Sequence, residues 1–434
     1  MAIIPQQKLF GWEQIEELND LKRLQLALTY MPDEKIMQHL EQDRGNGRDD
    51  YPVRGMWNAV IAGIVYQHNS IEFLRRELDR NGQLRYLCGL SYVPTASAFS
   101  RFIKKLFTME EEIDAIFDKL VSEISVLLPG FGTNLAIDGK AIDTVARPNA
   151  KNGEMAPDGR RDTDADFGKK VYKGQREDGT AWEKVVKWFG YKLHLIVDAD
   201  YELPVAFSVT TASAAEAPEA HKLLGQTKES HPQILEDCEH FLGDKGYDDG
   251  KLLIKAWDEH KIKPIIDIRN MWKDEDTTRL LNDTTNIAYN YKGTVFCHCM
   301  ETGKEREMAY GGFEKDRKTL KYRCPAEHYG INCQSKDTCA VNGSLRIKME
   351  EERRIFTPVA RSSYKWKTLY KKRTSVERVN SRLDISFGFE NHYIRGLKKM
   401  KLRLGLAFCV MLAMALGRIK ENQMGSLRSL VKAA

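Results

Sequence analysis

The order of apolar runs and helical stretches between residues 134 and 269 most constrains the fold of this chain. Three apolar segments, NLAID, KWFGYKLHLIVDA and LPVAFSVTT, predict strands, the last two following each other as in an antiparallel meander. A helical stretch, the run HFLGD, a second helical stretch and the run KPIIDIR come next. The first run ends in Asp138 and the fourth in Asp244. This pattern predicts an α/β fold, with a mixed sheet flanked by helices and carboxylates at two strand ends.

The first 130 residues have the apolar periodicity of helices throughout, and Ser70 and Thr95 open two of these helices as caps. We therefore divide the chain into an all-α domain, residues 1–130, and a second domain, residues 131–434. Basic residues such as Lys104 and Lys105 would suit a helix-turn-helix domain that binds DNA. A packing or dimerisation domain is the alternative.

A basic segment lies near the end of the chain. Between Arg361 and Arg403 thirteen Lys or Arg residues oppose three acids, a net charge of +10, whereas the whole chain carries +5. Such a concentration of positive charge is typical of a surface that binds a phosphate backbone. The residues we assign to DNA binding are Lys371, Lys372, Arg378, Arg382, Lys398, Lys399 and Lys401.

The same segment contains a predicted helix with two distinct stripes. Four polar residues at steps of three, four and seven share one stripe: Tyr370, Arg373, Glu377 and Asp384. The apolar stripe beside it contains Val376, Val379 and Leu383. This pattern indicates a helix that packs on a core and presents a carboxylate between cations. A solvated amphipathic helix with an internal Arg–Glu pair would have the same pattern.

Several motifs together resemble the DDE transposases of bacterial insertion sequences. Tyr370, Arg373 and Glu377 match the first three positions of a Tyr-x2-Arg-x3-Glu-x6-Lys signature, and Asp384 stands where the family has a basic residue. The segments LAIDGKAID, FGYKLHLIVD and LGDKGYDD are similar to the family's first-Asp, second and second-Asp strands. YPVRGMWNAVIAG and LRYLCGL are similar to its N-terminal domain. The resemblance implies an RNase H-like catalytic domain.

The resemblance also implies a catalytic site. Asp138, Asp244 and Glu377 would hold two divalent ions about 4 Å apart, because magnesium or manganese prefers carboxylate oxygens. Arg373 would orient Glu377 or bind a phosphate, and Tyr370 belongs to the same signature. Asp143 is an alternative first ligand, which we disfavour because it lies beyond the apolar run that ends at Asp138.

The function that follows from the resemblance is that of a DNA transposase, which binds the ends of a mobile element, cuts DNA strands and joins them to a target. Its partners would be element ends and target DNA, with a homodimer or larger assembly bringing two ends together. We expect no membrane, no small-molecule substrate and a bacterial cytoplasmic location, nucleoid-associated when bound to DNA. A catalytically inactive repressor of the element and a nuclease without strand transfer are the alternatives.

Residues of about 270–360 interrupt the catalytic order as a Cys-rich insertion. Thiolates of Cys297 (or Cys299), Cys324, Cys333 and Cys339 could hold one structural zinc ion, and His298 or His328 could replace one of them. The insertion has few apolar residues for a core of its own, which favours a metal. The clustered cysteines do not resemble a secreted disulfide framework, so a reducing compartment is expected.

Two further expectations concern the end of the chain. Leu404 to Gly417 is an apolar run of fourteen residues, shorter than the roughly twenty that span a bilayer, and is predicted to be a buried helix. We expect nearby cations, Arg382 above all, to take over the phosphate contact, and Asp384 to pair with one of these cations or to cap the helix end near Phe387 and Gly388.

Overall fold

The computed structural model describes residues 20–45, 50–146, 162–176, 178–273, 276–282, 284–336, 339, 341 and 343–428. The first part of a helix predicted at residues 12–28 lies outside these ranges. The structure confirms that the described residues from Asp20 to Leu127 fold mainly into helices. They are α1 (Asp20–Tyr30), α2 (Glu34–Arg44), α3 (Val53–Val65), α4 (Ile71–Arg80), α5 (Gly82–Cys88), α6 (Ala96–Leu106) and α7 (Glu110–Leu127).

A mixed sheet follows, as the apolar runs predict. Its strands are β1 (Asn134–Asp143), β2 (Asp166–Gln175), β3 (Ala181–Asp198), β4 (Leu203–Thr211), β5 (His240–Gly243) and β6 (Lys263–Ile266). The first strands pair antiparallel through β3, whereas β1, β5 and β6 are parallel. The connecting helices are α8 (Glu216–Ser230), α9 (Pro232–Glu236) and α10 (Gly250–Asp258). Parallel pairing brings the carboxyl ends of β1 and β5 to one edge.

Two strand boundaries differ from those predicted. β1 does not end at Asp138 but continues to Asp143, still paired with β3. β3 begins at Ala181, and its first half pairs with β2, a strand absent from our sequence analysis. In its described residues this β2–β3 ribbon is exposed and has no buried apolar face. The sequence therefore lacks the alternation of apolar and polar residues that would have predicted it. At its base Gly190 leaves room for β1, since a Cβ there would lie 2.2 Å from the Ile142 carbonyl oxygen.

Three helices complete the main body: α12 (Tyr364–Lys371), α13 (Thr374–Phe387) and α14 (Leu397–Lys420). α14 packs against α7, α1 and β4, so the N-terminal helices and the sheet share one apolar core. By length and composition α14 could cross a membrane, but 83% of its apolar window is buried inside the protein. It is the buried helix that the run from Leu404 predicts.

Residues between β6 and α12 form two small sheets and a short helix. One sheet contains β7 (Arg279–Leu280), β8 (Ile287–Tyr289), β9 (Val295–His298) and β10 (Glu305–Glu307), and the other β11 (Ala309–Glu314), β12 (Thr319–Arg323) and β13 (Ser344–Lys348), with α11 (Pro325–Tyr329) after β12. Our expectation that this region is short of core residues is wrong. Thirteen buried apolar residues, including Leu320 and Tyr322, form a separate core here.

Candidate active site

Two carboxylates lie side by side at the edge of the main sheet. β1 pairs in parallel with β5 through Ala136 and Leu242, so Asp138 and Asp244 each follow that pair by two positions. Both carboxylates bond to nearby backbone: Asp138 Oδ1 accepts the Gly139 amide at 2.8 Å, and Asp244 Oδ1 accepts the Gly246 amide at 2.7 Å. The two side chains that the sequence proposed as partners are therefore neighbours in space.

The rival residue Asp143 points elsewhere. Successive side chains of a strand alternate between faces, and Asp143 is an odd number of residues from Asp138. The side chain of Lys140, which shares the face of Asp138, reaches Asp384 on α13. Asp143 consequently occupies the face opposite to α13 and is exposed.

The surroundings of Asp138 disfavour its negative charge. Burial raises the pKa of Asp138 to about 6, although the positive charges of Lys170 and Arg373 act in the opposite direction. The charge of Asp244 adds to the rise. A carboxyl with this pKa gains from any cation that neutralises it, because the ionised form is otherwise poorly solvated.

Arg373 connects the third carboxylate to the other two. Its Nη1 donates to Glu377 Oε1 at 3.0 Å, one helical turn along α13. Burial alone would lower the pKa of Arg373, but the charges of neighbouring groups, including Glu377, Asp138 and Asp244, raise it. The guanidinium therefore lies in the field of all three acids. Its Nε is buried and has no hydrogen-bond partner among the described residues.

An aromatic column supports this arginine. The ring of Tyr370 stacks on Trp366 with centroids 4.6 Å apart, and the Arg373 guanidinium lies 5.6 Å from the Tyr370 centroid. Because Trp366 is buried, it fixes the position of Tyr370 and hence of the cation beside it. Tyr370 and Arg373 thus act as one unit, in which the ring buttresses the guanidinium.

The three carboxylates are suitable ligands for a divalent cation, but they do not surround a common point. Among the described residues no group of three or more His, Cys, Asp or Glu side chains is close enough to hold a metal ion. Glu377 is half exposed and bonded to Arg373, while Asp138 and Asp244 adjoin each other. Oxygen donors, a carboxyl with a raised pKa and an unpartnered guanidinium nitrogen nevertheless fit a site for magnesium and phosphate.

Asp384 has a partner that the sequence did not indicate. Lys140 Nζ donates to Asp384 Oδ2 at 2.6 Å, across 244 residues of sequence. Arg382, the cation that we expected to contact phosphate, bonds instead to Glu202. Lys140 lies two residues after Asp138 on the same face of β1, and it therefore places its ammonium group near the acids from the strand. In the family signature the basic residue is on the helix.

The seven basic residues that we assign to DNA binding divide into two groups. Four are paired with acids: Lys372 with Asp200, Arg378 and Arg382 with Glu202, and Lys401 with Glu110. Lys371, Lys398 and Lys399 are exposed and form no ion pair with a described residue. Glu202 is only 3% exposed, which makes its ion pairs part of the packing between α13 and the β3–β4 turn.

Three residues near the site were missed in the sequence. Lys170 of the β2–β3 ribbon exerts the largest opposing charge on Asp138. Glu216, the first residue of α8, and Tyr247, which follows β5, adjoin Asp244. Each belongs to an element whose approach to β1 only the fold determines. Spacing along the chain carried no signal for them.

Four of the cysteines in the insertion face one another. Burial raises the pKa of Cys297 to about 11, and the charges of Cys324, Cys333 and Cys339 add to the rise. All four line one cavity of about 30 Å³. Cys299, the alternative to Cys297, contacts Ser335 Oγ at 3.2 Å. The thiols are free of disulfides, and their present spacing does not meet the geometry of a bound metal.

Comparisons with known proteins identify the family of the chain. Residues 130–413, well over half of the chain, match the family described as "Transposase DDE domain", and residues 10–105 match "Transposase domain (DUF772)". A search of curated proteins gives no significant match. One solved structure is similar at 11% identity and a TM-score of 0.38, over 96% of this chain and 82% of that one: the piggyBac transposase synaptic complex with hairpin DNA. At that TM-score the similarity carries no argument.

Proposed function

The chain belongs to the family of transposases with a DDE domain, and from this premise we propose that Asp138, Asp244 and Glu377 are the carboxylates with which it cuts and joins DNA. It is a transposase, an enzyme that acts on DNA. We further assign its sheet to the RNase H-like fold. The antiparallel β1, β3 and β4, followed by the parallel β5 and β6, support that assignment.

The observation that carries the proposal is the convergence of the acids on Arg373. Asp138 and Asp244 are neighbours across two paired strands, and Glu377 approaches on α13 through its ion pair with Arg373. Magnesium or manganese, held by the three carboxylates, would activate an attacking oxygen and stabilise a leaving oxygen. Such ions would also offset the repulsion among the acids.

The remaining residues act on the DNA backbone. Arg373, whose Nη1 keeps Glu377 in place, has further guanidinium N–H groups with which it can donate to a phosphate. The stack of Trp366 on Tyr370 holds that guanidinium still. Exposed Lys398 and Lys399, at the start of α14, supply sequence-independent contacts. We do not assign Arg382 to the DNA-binding surface, because its guanidinium is paired with Glu202.

A transposase of this kind binds the ends of its element and a target, and two ends joined together require at least a dimer in the working complex. A bacterial cytoplasmic enzyme that associates with the nucleoid through DNA fits this activity. A repressor without catalysis and a nuclease without strand transfer remain the competing functions. Cleavage of a duplex that contains an element end would exclude the repressor. Joining of the freed 3′ end to a second DNA would exclude the nuclease.

The first test replaces each carboxylate with its amide: Asp138→Asn, Asp244→Asn and Glu377→Gln. Each change should lower cleavage with magnesium or manganese by on the order of a hundredfold or more, since even the outer partners of metal ligands cost tenfold to a hundredfold. Binding of element-end DNA in a gel shift should persist. Asp143→Asn, on the opposite face of β1, is the matched control. Normal cleavage by Asp138→Asn, or loss of cleavage in Asp143→Asn, would contradict the assignment.

We also propose that Cys297, Cys324, Cys333 and Cys339 hold one structural zinc ion. Their thiols line one small cavity, which Cys299 also lines, and zinc would draw the four into a tetrahedron. Elemental analysis should find about one zinc per chain in wild type and none in the Cys324→Ser, Cys333→Ser variant. Cys299→Ser should retain it. Zinc-free wild-type protein, prepared with zinc in the medium, would reduce the cluster to ordinary thiols.

A further inference from the structure

Glu216 lies against two glycines at the edge of the sheet that carries the acids. A Cβ on Gly139, the residue after Asp138, would meet Glu216 Oε1 at 3.2 Å. A Cβ on Gly246 would meet Glu216 Oε2 at 2.0 Å and Asp244 Oδ1 at 2.8 Å. The carboxylates of Glu216 and Asp244 therefore adjoin the same point.

The two glycines make room for the Glu216 carboxylate and do not serve an unusual backbone. Neither Gly139 nor Gly246 has a positive φ, so the missing side chain matters here only for the space it leaves. Gly139 also faces away from Asp138 along β1. Glu216 thus approaches from the α8 side of the sheet, while Glu377 approaches from the α13 side, with Asp244 at the open end of β5 next to Asp138.

A second observation points to a ligand at this place. Tyr247 is fully buried, and its hydroxyl has no hydrogen-bond partner among the described residues. Burial raises the pKa of Tyr247 well above its usual value, and the charges of Asp138, Glu216 and Asp244 raise it further. A buried hydroxyl without a partner costs free energy unless something fills the site, and the charges of three carboxylates act on this one.

Glu216 has a structural alternative. An acid in the first turn of a helix complements the helix dipole, and Lys192 Nζ lies 4.0 Å from Glu216 Oε1. Lys192 donates its hydrogen bond, however, to the Ala214 carbonyl oxygen at 2.7 Å. The long ion pair offsets the charge of Glu216 only in part, and the carboxylate keeps lone pairs for a cation.

We propose that Glu216 is a fourth metal-binding carboxylate, which shares with Asp244 one of the divalent ions of the active site. The inference rests on the proposed function, since it adds a ligand to the same centre. Tyr247 then serves as a hydrogen-bond donor into that centre. The four acids reach the edge of the sheet from four separate elements: β1, the start of α8, the end of β5 and α13.

The test is a titration of metal-free protein with manganese, followed by calorimetry and by the rise in melting temperature. Glu216→Gln should weaken manganese binding at least about tenfold and reduce the metal-dependent rise in melting temperature. Its metal-free form should be as stable as wild type or more so, because one charge beside Asp244 is gone. Glu229→Gln, exposed on the same helix, should behave as wild type.

Two further variants keep the outcome decisive. Glu216→Asp retains the charge but withdraws the carboxylate by one methylene, so it should fold and still bind manganese more weakly. Wild-type affinity in both Glu216 variants would overturn the inference and leave Glu216 as the partner of Lys192. Asp244→Asn in the same titration tests the proposed function separately. Unchanged affinity in that variant would contradict the metal centre itself.

Discussion

At the scale of single residues, charge pairing decides which cations the active site can use. Asp384 breaks the basic pattern of the signature, and its charge is paired with that of Lys140, which reaches it from β1. The pair is about one-quarter exposed on either side, so solvent screens it in part.

The Lys140–Asp384 pair can be tested by exchanging its charges. Asp384→Lys alone places two lysines together and should lower the free energy of unfolding by about 1 kcal/mol. The double variant Lys140→Asp, Asp384→Lys should recover most of that loss. Urea unfolding of wild type, of the single variants Asp384→Lys and Lys140→Asp, and of the double variant measures the coupling. Full additivity of the two single changes would show that the residues do not interact.

At the scale of secondary-structure elements, β5 is a short strand whose residues are all buried. His240 begins it, with Nδ1 2.9 Å from Asn134 Oδ1 of β1 and an Nε2 that is buried without a partner among described residues. A protonated imidazole would have no acceptor there. The strand that leads to Asp244 therefore depends on a neutral histidine.

This dependence predicts a pH effect on stability. Burial lowers the pKa of His240 to about 4 from an ordinary value of 6.5. The unfolded chain then takes up the proton first, so the contribution of His240 is complete above pH 6.5 and is lost as pH falls toward 4, up to about 3 kcal/mol. The stability difference between wild type and His240→Asn should shrink from pH 7.5 to pH 5. A constant difference in urea unfolding would contradict the prediction.

At the scale of the whole molecule, the described residues form two apolar cores. α14 joins the N-terminal helices to the sheet in a single core, whereas the insertion has its own. Arg361, buried after the insertion, donates to the Ile266 carbonyl oxygen at 3.0 Å, at the end of β6. The two ends of the insertion consequently leave the main body at the same point.

Two cores predict two thermal transitions. Leu320 is fully buried in the insertion and Leu412 is fully buried in α14, so Leu→Ala at either position should cost about 2–5 kcal/mol. Leu320→Ala should lower one calorimetric transition, and Leu412→Ala the other. A single transition that both variants lower equally would mean that the insertion unfolds together with the main body.

The sequence by itself determined the features that depend on local pattern. Period-two and helical apolar runs predicted β4, β5, β6 and the buried helix α14, because burial of one face imposes those periods on neighbouring residues. The ordered motifs resembled the family to which the chain belongs. The β2–β3 ribbon, exposed along much of its length, produced no such pattern.

Only the tertiary structure decided which charged groups meet. Lys140 finds Asp384 across 244 residues, and Arg382 finds Glu202 across 180. The sequence favoured Asp138 over Asp143 because the apolar run ends at Asp138, and strand alternation put the two on opposite faces of β1. Glu216 and Tyr247 reach the acids through the packing of α8 on the turn after β5. These contacts depend on how elements cross in space, and a local pattern of residues does not contain that information.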